Sequence, residues 1–157
     1  MDIVQFTSDC LRAHNKCRSE HDSPELNLSE DLGNKAQDWA NVLAEKGYPL
    51  YSETPGLSEN IAILNGTPSG EEVTKIWYSE CKNYNFAKRV FQRDSAHFTR
   101  MLWKSSTDMG IGIAKLPNKD KYAIVVAYRP AGNINFSGDF GKNVAPPKSL
   151  SHEQHEA

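Results

Sequence analysis

Cysteine is scarce in this chain: Cys10, Cys17 and Cys81 are the only three in 157 residues. Three thiols cannot close a complete disulfide framework, so a reducing intracellular compartment is expected. No run of 18 apolar residues occurs, which argues against a membrane-spanning helix. The first residues, Met1 to Phe6, show neither a basic stretch nor an apolar core, so no secretory signal is expected. Asp at position 2 removes the glycine that N-myristoylation needs, and Gln154 to Ala157 is no prenylation box. A strong excess of one charge is missing too. With 18 Lys and Arg against 20 Asp and Glu, the net charge is -2, giving no global reason to bind nucleic acid. Also missing are an internal repeat, a phosphate loop, and an activated Ser or Cys with a plausible base. His152-Glu153-Gln154-His155 has the wrong spacing for a helical zinc motif.

What is present is regular. Ile3, Phe6, Cys10, Ala13 and Cys17 recur at helical spacing, with His14 at the edge of that stripe. Cys10 and Cys17 would lie two turns apart, roughly 10 Å, too far to bridge, and read as small core residues. Asp22-Ser23-Pro24 ends this helix. A second helix opens at Ser29, carries Leu32, Ala36, Trp39, Ala40 and Leu43 on one face, and stops at Gly47. Residues 57–64 read as a strand whose alternation puts Leu57, Glu59, Ile61 and Ile63 on one side. Ser69 with Glu72 makes a capping box for a third helix, with Val73, Ile76, Trp77, Glu80 and Tyr84 as its stripe.

Asp94 and Ser95 offer an N-cap to His97-Phe98-Thr99-Arg100-Met101-Leu102-Trp103, where a histidine borders an apolar helix face. Two strands follow. In 109–116, Gly110, Gly112 and Ala114 share a face that invites close approach of another backbone. Residues 122–128 are apolar on both faces, as in a central strand, and would be aggregation-prone if exposed. From Pro130 the chain is expected to run extended over the surface. The pattern predicts an α+β domain, a three-layer α–β–α sandwich around a central, mainly antiparallel sheet. It spans 1–148, with 149–157 as a disordered tail.

Glu59 and Glu80 are thus acids on apolar faces, and each needs a partner if buried. His97 could in principle join them to activate a water. A polar network with a structural role is the commoner use of such groups. His14 with Asn15 and Arg18 reads as a packing and hydrogen-bonding set. Trp39, Trp77 and Trp103 read as core, and Cys81 has no setting that would make it reactive. Between Lys82 and Lys104, six basic residues (Lys82, Lys88, Arg89, Arg93, Arg100, Lys104) face one acid, Asp94. A solvated face is the ordinary reading of such a run, and an anionic-surface patch is the functional one.

Five motifs in order resemble the CAP superfamily of cysteine-rich secretory proteins, antigen 5 and plant pathogenesis-related class 1 proteins. They are Ala13-His14-Asn15 with Arg18, Ser58-Glu59-Asn60-Ile61-Ala62, Trp77-Tyr78-Ser79-Glu80, His97 to Trp103, and Tyr128 to Asn133. Ser58 stands for the usual glycine and Arg100 for the usual glutamine. Residues 77–86 and 143–148 are similar to the family's intracellular, Golgi-associated branch. The resemblance implies peripheral association with acidic phospholipid, a possible homodimer, and a location in the cytoplasm or on Golgi-type membranes. Export without a signal stays open.

The family's cavity carries two His and two Glu. The resemblance puts Glu59, Glu80 and His97 on three of those positions and Tyr51 on the fourth, in place of a histidine. A phenol is a far poorer zinc ligand than an imidazole, so zinc is expected to bind weakly or not at all, and no other cofactor is expected. The functional expectation is a non-enzymatic binding protein that meets acidic lipid through Lys82, Lys88, Arg89, Arg93, Arg100 and Lys104. The alternatives are a protein-interaction module acting as a homodimer, and a metal-assisted hydrolase using Glu59, Glu80 and His97.

Overall fold

A computed structural model describes residues 1–148; the tail expected at 149–157, with His152 and His155, lies outside the described residues. Helix α1 spans Ile3–Glu20, strand β1 Asn27–Leu28, α2 Glu30–Lys46, β2 Ser58–Asn65 and α3 Gly70–Tyr78. Helix α4 covers Ala96–Leu102, β3 Asp108–Lys115, β4 Lys121–Arg129 and α5 Asp139–Asn143. The strands order β1-β3-β4-β2. Both β2 and β3 run antiparallel to β4, and only the two-residue β1 is parallel to its neighbour.

Strand β4 divides the core between two layers. Ile124, Val126 and Tyr128 pack with Phe6, Cys10, Val73, Trp77 and Met101 from α1, α3 and α4. Ala123, Val125 and Ala127 pack with Leu32, Ala36, Ala40 and Leu43 of α2. Period-two alternation against helices on both sides produces the α–β–α sandwich. The small residues of β3 set the depth of the α2 layer. A Cβ on Gly110 would collide with the backbone of Leu32, and one on Gly112 with that of Ala36. Gly47, at φ 81°, closes α2 with a left-handed cap that donates to Leu43 O.

Three expectations need correction. Helix α3 ends at Tyr78, and Glu80 falls in a 3-10 turn, Ser79–Asn83. Ile76 is 48% exposed and leaves the stripe, which narrows to Gly70, Val73, Thr74 and Trp77. Past Pro130 the chain is not merely draped over the surface. Helix α5 docks Phe140, and with Val144 it joins Tyr84, Phe98, Leu102 and Trp103 in a third cluster. The Asn143 side-chain oxygen accepts from the Ser105 amide and hydroxyl, at 2.9 and 2.6 Å, and pins this end to the turn after α4.

Candidate functional site

His97 lies in the first turn of α4, and Glu80 comes to it from the turn after α3. The imidazole Nδ1–H donates to Glu80 Oε2 at 2.8 Å. Glu80 Oε1 accepts from the backbone amides of His97 and Phe98, at 3.0 and 3.3 Å. The helix cap expected from Asp94 and Ser95 is therefore supplied by a carboxylate 17 residues upstream. Ser95 sits at the cap position without capping, its hydroxyl donating to Gln92 O instead. A carboxylate at a helix N-terminus meets unpaired amides and the positive end of the peptide dipoles, which explains why Glu80 is stable there. The His97 ring stacks on Trp77, with centroids 5.9 Å apart and planes 6° apart. Its side chain stays 30% exposed, and Nε2 has no hydrogen-bond partner among the described residues.

From His97 a polar chain runs inward. Asn60 Nδ2 donates to His97 O at 2.9 Å and to the Tyr128 hydroxyl at 3.1 Å. Tyr128 Oη and His14 Nε2 are 2.7 Å apart. His14 Nδ1 lies 2.9 Å from Cys10 O, which can only accept, so the proton belongs on Nδ1. Nε2 then accepts from Tyr128, whose oxygen accepts from Asn60. All three side chains are buried. Burial pushes the His14 pKa down to about 4, pushes the Cys10 thiol up to about 12, and raises Tyr128 well above its ordinary value. The chain is neutral end to end and links α1, β4, β2 and α4.

Arg18 does comparable work with a charge. Its guanidinium donates to the carbonyls of Pro24, Met101, Trp103 and Ser106 at 2.7–3.0 Å. Burial lowers its pKa to about 10, which still leaves it charged at neutral pH. The residues read as a packing set in the sequence are one. His21, not singled out by any periodicity, is buried beside them, with Tyr78 Oη at 2.6 Å and Ala145 O at 2.8 Å.

Glu59 does not meet Glu80 and His97. It is buried on the α2-facing side of β2, and Asn60 on the opposite side is the residue that reaches α4. Both Glu59 oxygens are engaged by Ser52, at 2.8 Å from its amide and 2.8 Å from its hydroxyl. Tyr51, next in the same loop, is half-exposed under Arg100: Nη1 donates to Tyr51 Oη at 3.2 Å, and the guanidinium carbon lies 5.0 Å from the ring centroid. Among the described residues no three His, Cys, Asp or Glu side chains gather as metal ligands would. A zinc ion needs deprotonated N, S or O donors converging on one point. Here His97 gives Nδ1 to Glu80 and leaves Nε2 open, but Glu59 is committed to Ser52 and a guanidinium covers the phenol, so these groups do not converge on that nitrogen. As arranged, these residues do not fit zinc.

The six basic residues have different local surroundings. Arg100 belongs to the Tyr51 contact, and Lys104 donates its amide to Asn143 O beside α5. Lys82 is exposed in the 3-10 turn after α3, and Arg93 is exposed in the 3-10 turn, Arg93–Ser95, that leads into α4. Lys88 and Arg89 line a groove of about 610 Å³ with Val90, Phe136, Gly141 and Lys142, a cation outside the expected run.

The family model for the cysteine-rich secretory proteins (CAP) matches residues 11–128. The chain belongs to the CAP family. Human Golgi-associated plant pathogenesis-related protein 1 is 38% identical over 147 residues, covering 92% of this chain and 95% of the relative. Tomato pathogenesis-related leaf protein 6 is 30% identical over 127 residues, covering 80% and 77%. Among solved structures, Schistosoma mansoni venom allergen-like protein 4 has a TM-score of 0.70 at 24% identity, covering 96% of this chain and 99% of that one. That likeness shows the CAP sandwich fold. None of the described helices is long and apolar enough to cross a membrane.

Proposed function

We propose that this CAP domain is a non-enzymatic binding protein that associates peripherally with acidic phospholipid membranes, of the Golgi type that the human relative's name suggests. The observation that carries the reading is the groove at Lys88, Arg89 and Lys142. Three cations there surround apolar side chains that the fold leaves in solvent: Phe136 is 76% exposed, Val90 45%, and Phe91 and Ile134 stand exposed on the same two segments. Arg89 lies along Gly141, so the 88–91 and 134–142 segments form one surface. Exposed aromatic and aliphatic groups ringed by Lys and Arg match a bilayer interface, where rings enter the headgroup layer and cations meet anionic lipid.

Cosedimentation with vesicles tests it. Vesicles containing phosphatidylserine should pellet the protein, pure phosphatidylcholine vesicles should not, and salt should release it. Converting Lys88, Arg89 and Lys142 to Gln should weaken binding about a hundredfold, at about 1 kcal/mol for each charge near the surface. Equal binding to neutral vesicles, or indifference to those charges, rules the reading out.

A further inference from the structure

A cleft of about 230 Å³ beside Tyr51 is lined by charges of both signs that are not paired with one another. Arg100, Glu53 and Glu59 all line it, together with Ser58 and Phe91. Both Glu59 oxygens are engaged by Ser52. Glu53 is exposed and has no hydrogen bond or ion pair among the described residues. Arg100 gives Nη1 to Tyr51 Oη at 3.2 Å and rests its guanidinium on the Tyr51 ring. Its Nε and Nη2 donors have no partner among the described residues. The tyrosine thus steadies the guanidinium and leaves an edge of its fork for a planar, two-oxygen acceptor. Ser58 Oγ accepts from the Gly132 amide at 3.0 Å, which leaves its own proton for a ligand. A free guanidinium edge and a free carboxylate in one cleft suit a ligand that carries both a carboxylate and an ammonium.

We propose that this cleft reads the serine headgroup of phosphatidylserine, Arg100 taking the carboxylate and Glu53 the ammonium. The inference rests on the membrane reading above and names the lipid for it. Phe91 joins the two places: it lines the cleft, stands 40% exposed, and ends the 88–91 segment that carries Lys88 and Arg89. Holding the groove against a bilayer therefore brings the cleft to the headgroup layer. Glu59 adds a second negative charge to the lining, which favours an ammonium and disfavours a headgroup that is only anionic. Phosphatidylglycerol has the net charge of phosphatidylserine but neither the carboxylate nor the ammonium. Cations in the groove respond to both lipids alike, and only the cleft tells them apart.

The test is the ratio of affinities for phosphatidylserine and phosphatidylglycerol vesicles, each diluted equally in phosphatidylcholine and measured by cosedimentation of the full chain. Wild type should prefer phosphatidylserine about tenfold, the scale of one hydrogen bond to a charged group. Arg100→Gln and Glu53→Gln change the surface charge in opposite directions, yet both should bring the ratio to about one. Lys88→Gln should weaken binding to both lipids about fivefold and preserve the ratio. Phosphatidylserine made with D-serine should bind wild type no better than phosphatidylglycerol does, an arm that needs no variant to fold. Equal binding of the two anionic lipids by wild type overturns the headgroup assignment and leaves the membrane reading standing. A preference that survives both glutamine substitutions, or that D-serine shares, overturns the assignment as well. Binding to neither lipid overturns both readings.

Discussion

The inner and outer halves of the polar system follow different rules. Inside, His14, Tyr128, Asn60 and Arg18 are sealed from solvent, and their bonds run in a determined sequence from one element to the next. Outside, His97, Glu80, Tyr51 and Arg100 stay partly open to water, and two of the four depart from the family's residue. A buried polar group whose partner is removed cannot turn to water, so one change strands several atoms. At the rim, water replaces a lost partner at little cost. The CAP sandwich can therefore keep its interior network while the chemistry of its cleft drifts.

That contrast breaks most visibly at the two arginines. Arg18→Met would leave four carbonyl oxygens facing an apolar side chain and should cost about 3–5 kcal/mol, enough to unfold a marginal domain. Arg100→Met should cost less than about 1 kcal/mol, because its partner is a half-exposed phenol. Urea unfolding of both variants measures the difference, and equal losses would erase the distinction drawn above.

Acid should find the interior next. The His14 pKa is depressed in the folded state, from an ordinary 6.5 to about 4, so the unfolded chain binds the proton more readily. Stability is unaffected above pH 6.5, falls as the pH drops through that value, and levels off below about 4. The loss from this residue should reach about 3 kcal/mol, at about 1.4 kcal/mol per unit. His21 is lowered in the same direction by burial and adds to the slope. The gap between unfolding free energies at pH 7 and pH 4 should therefore shrink by about 3 kcal/mol in His14→Gln, leaving the His21 share, and a profile parallel to wild type would show that His14 is not the sensor.

The smallest effect belongs at the rim. Glu80→Ala removes the α4 cap and the His97 partner together and should destabilise by about 1–2 kcal/mol, the scale of a lost helix cap. His97→Ala leaves the cap in place and should cost less. Amide exchange at His97 and Phe98 separates the two, since only the first change exposes those amides.

Much of this arrangement was legible before folding. Alternation in 122–128 marked a central strand, Gly110 and Gly112 marked a close helix contact, and Ser29 and Gly47 bracketed α2 as cap and stop. Those signals are local: each depends on period, side-chain size or backbone freedom over a few residues. The site was only half legible. Periodicity found Glu59, Glu80 and His97 as misplaced polar groups but could not say which of them meet. A strand shows one residue to each face in turn, so neighbouring Glu59 and Asn60 go to opposite layers, and it is Asn60 that reaches α4. Nothing local marked His21, β1 or α5. Two of these are short, and all three are held by contacts far along the chain: His21 to Ala145, β1 to β3, α5 to Ser105.

By itself the sequence determined the elements, their inward faces and the family, because apolar period and motif order need no partner to be read. Tertiary structure alone decided that Glu80 caps α4, that Glu59 serves Ser52, and that Arg100 lies on Tyr51. Carboxylates and guanidiniums are satisfied by whichever donors or acceptors folding brings within 3 Å or so. Spacing along the chain does not specify those neighbours.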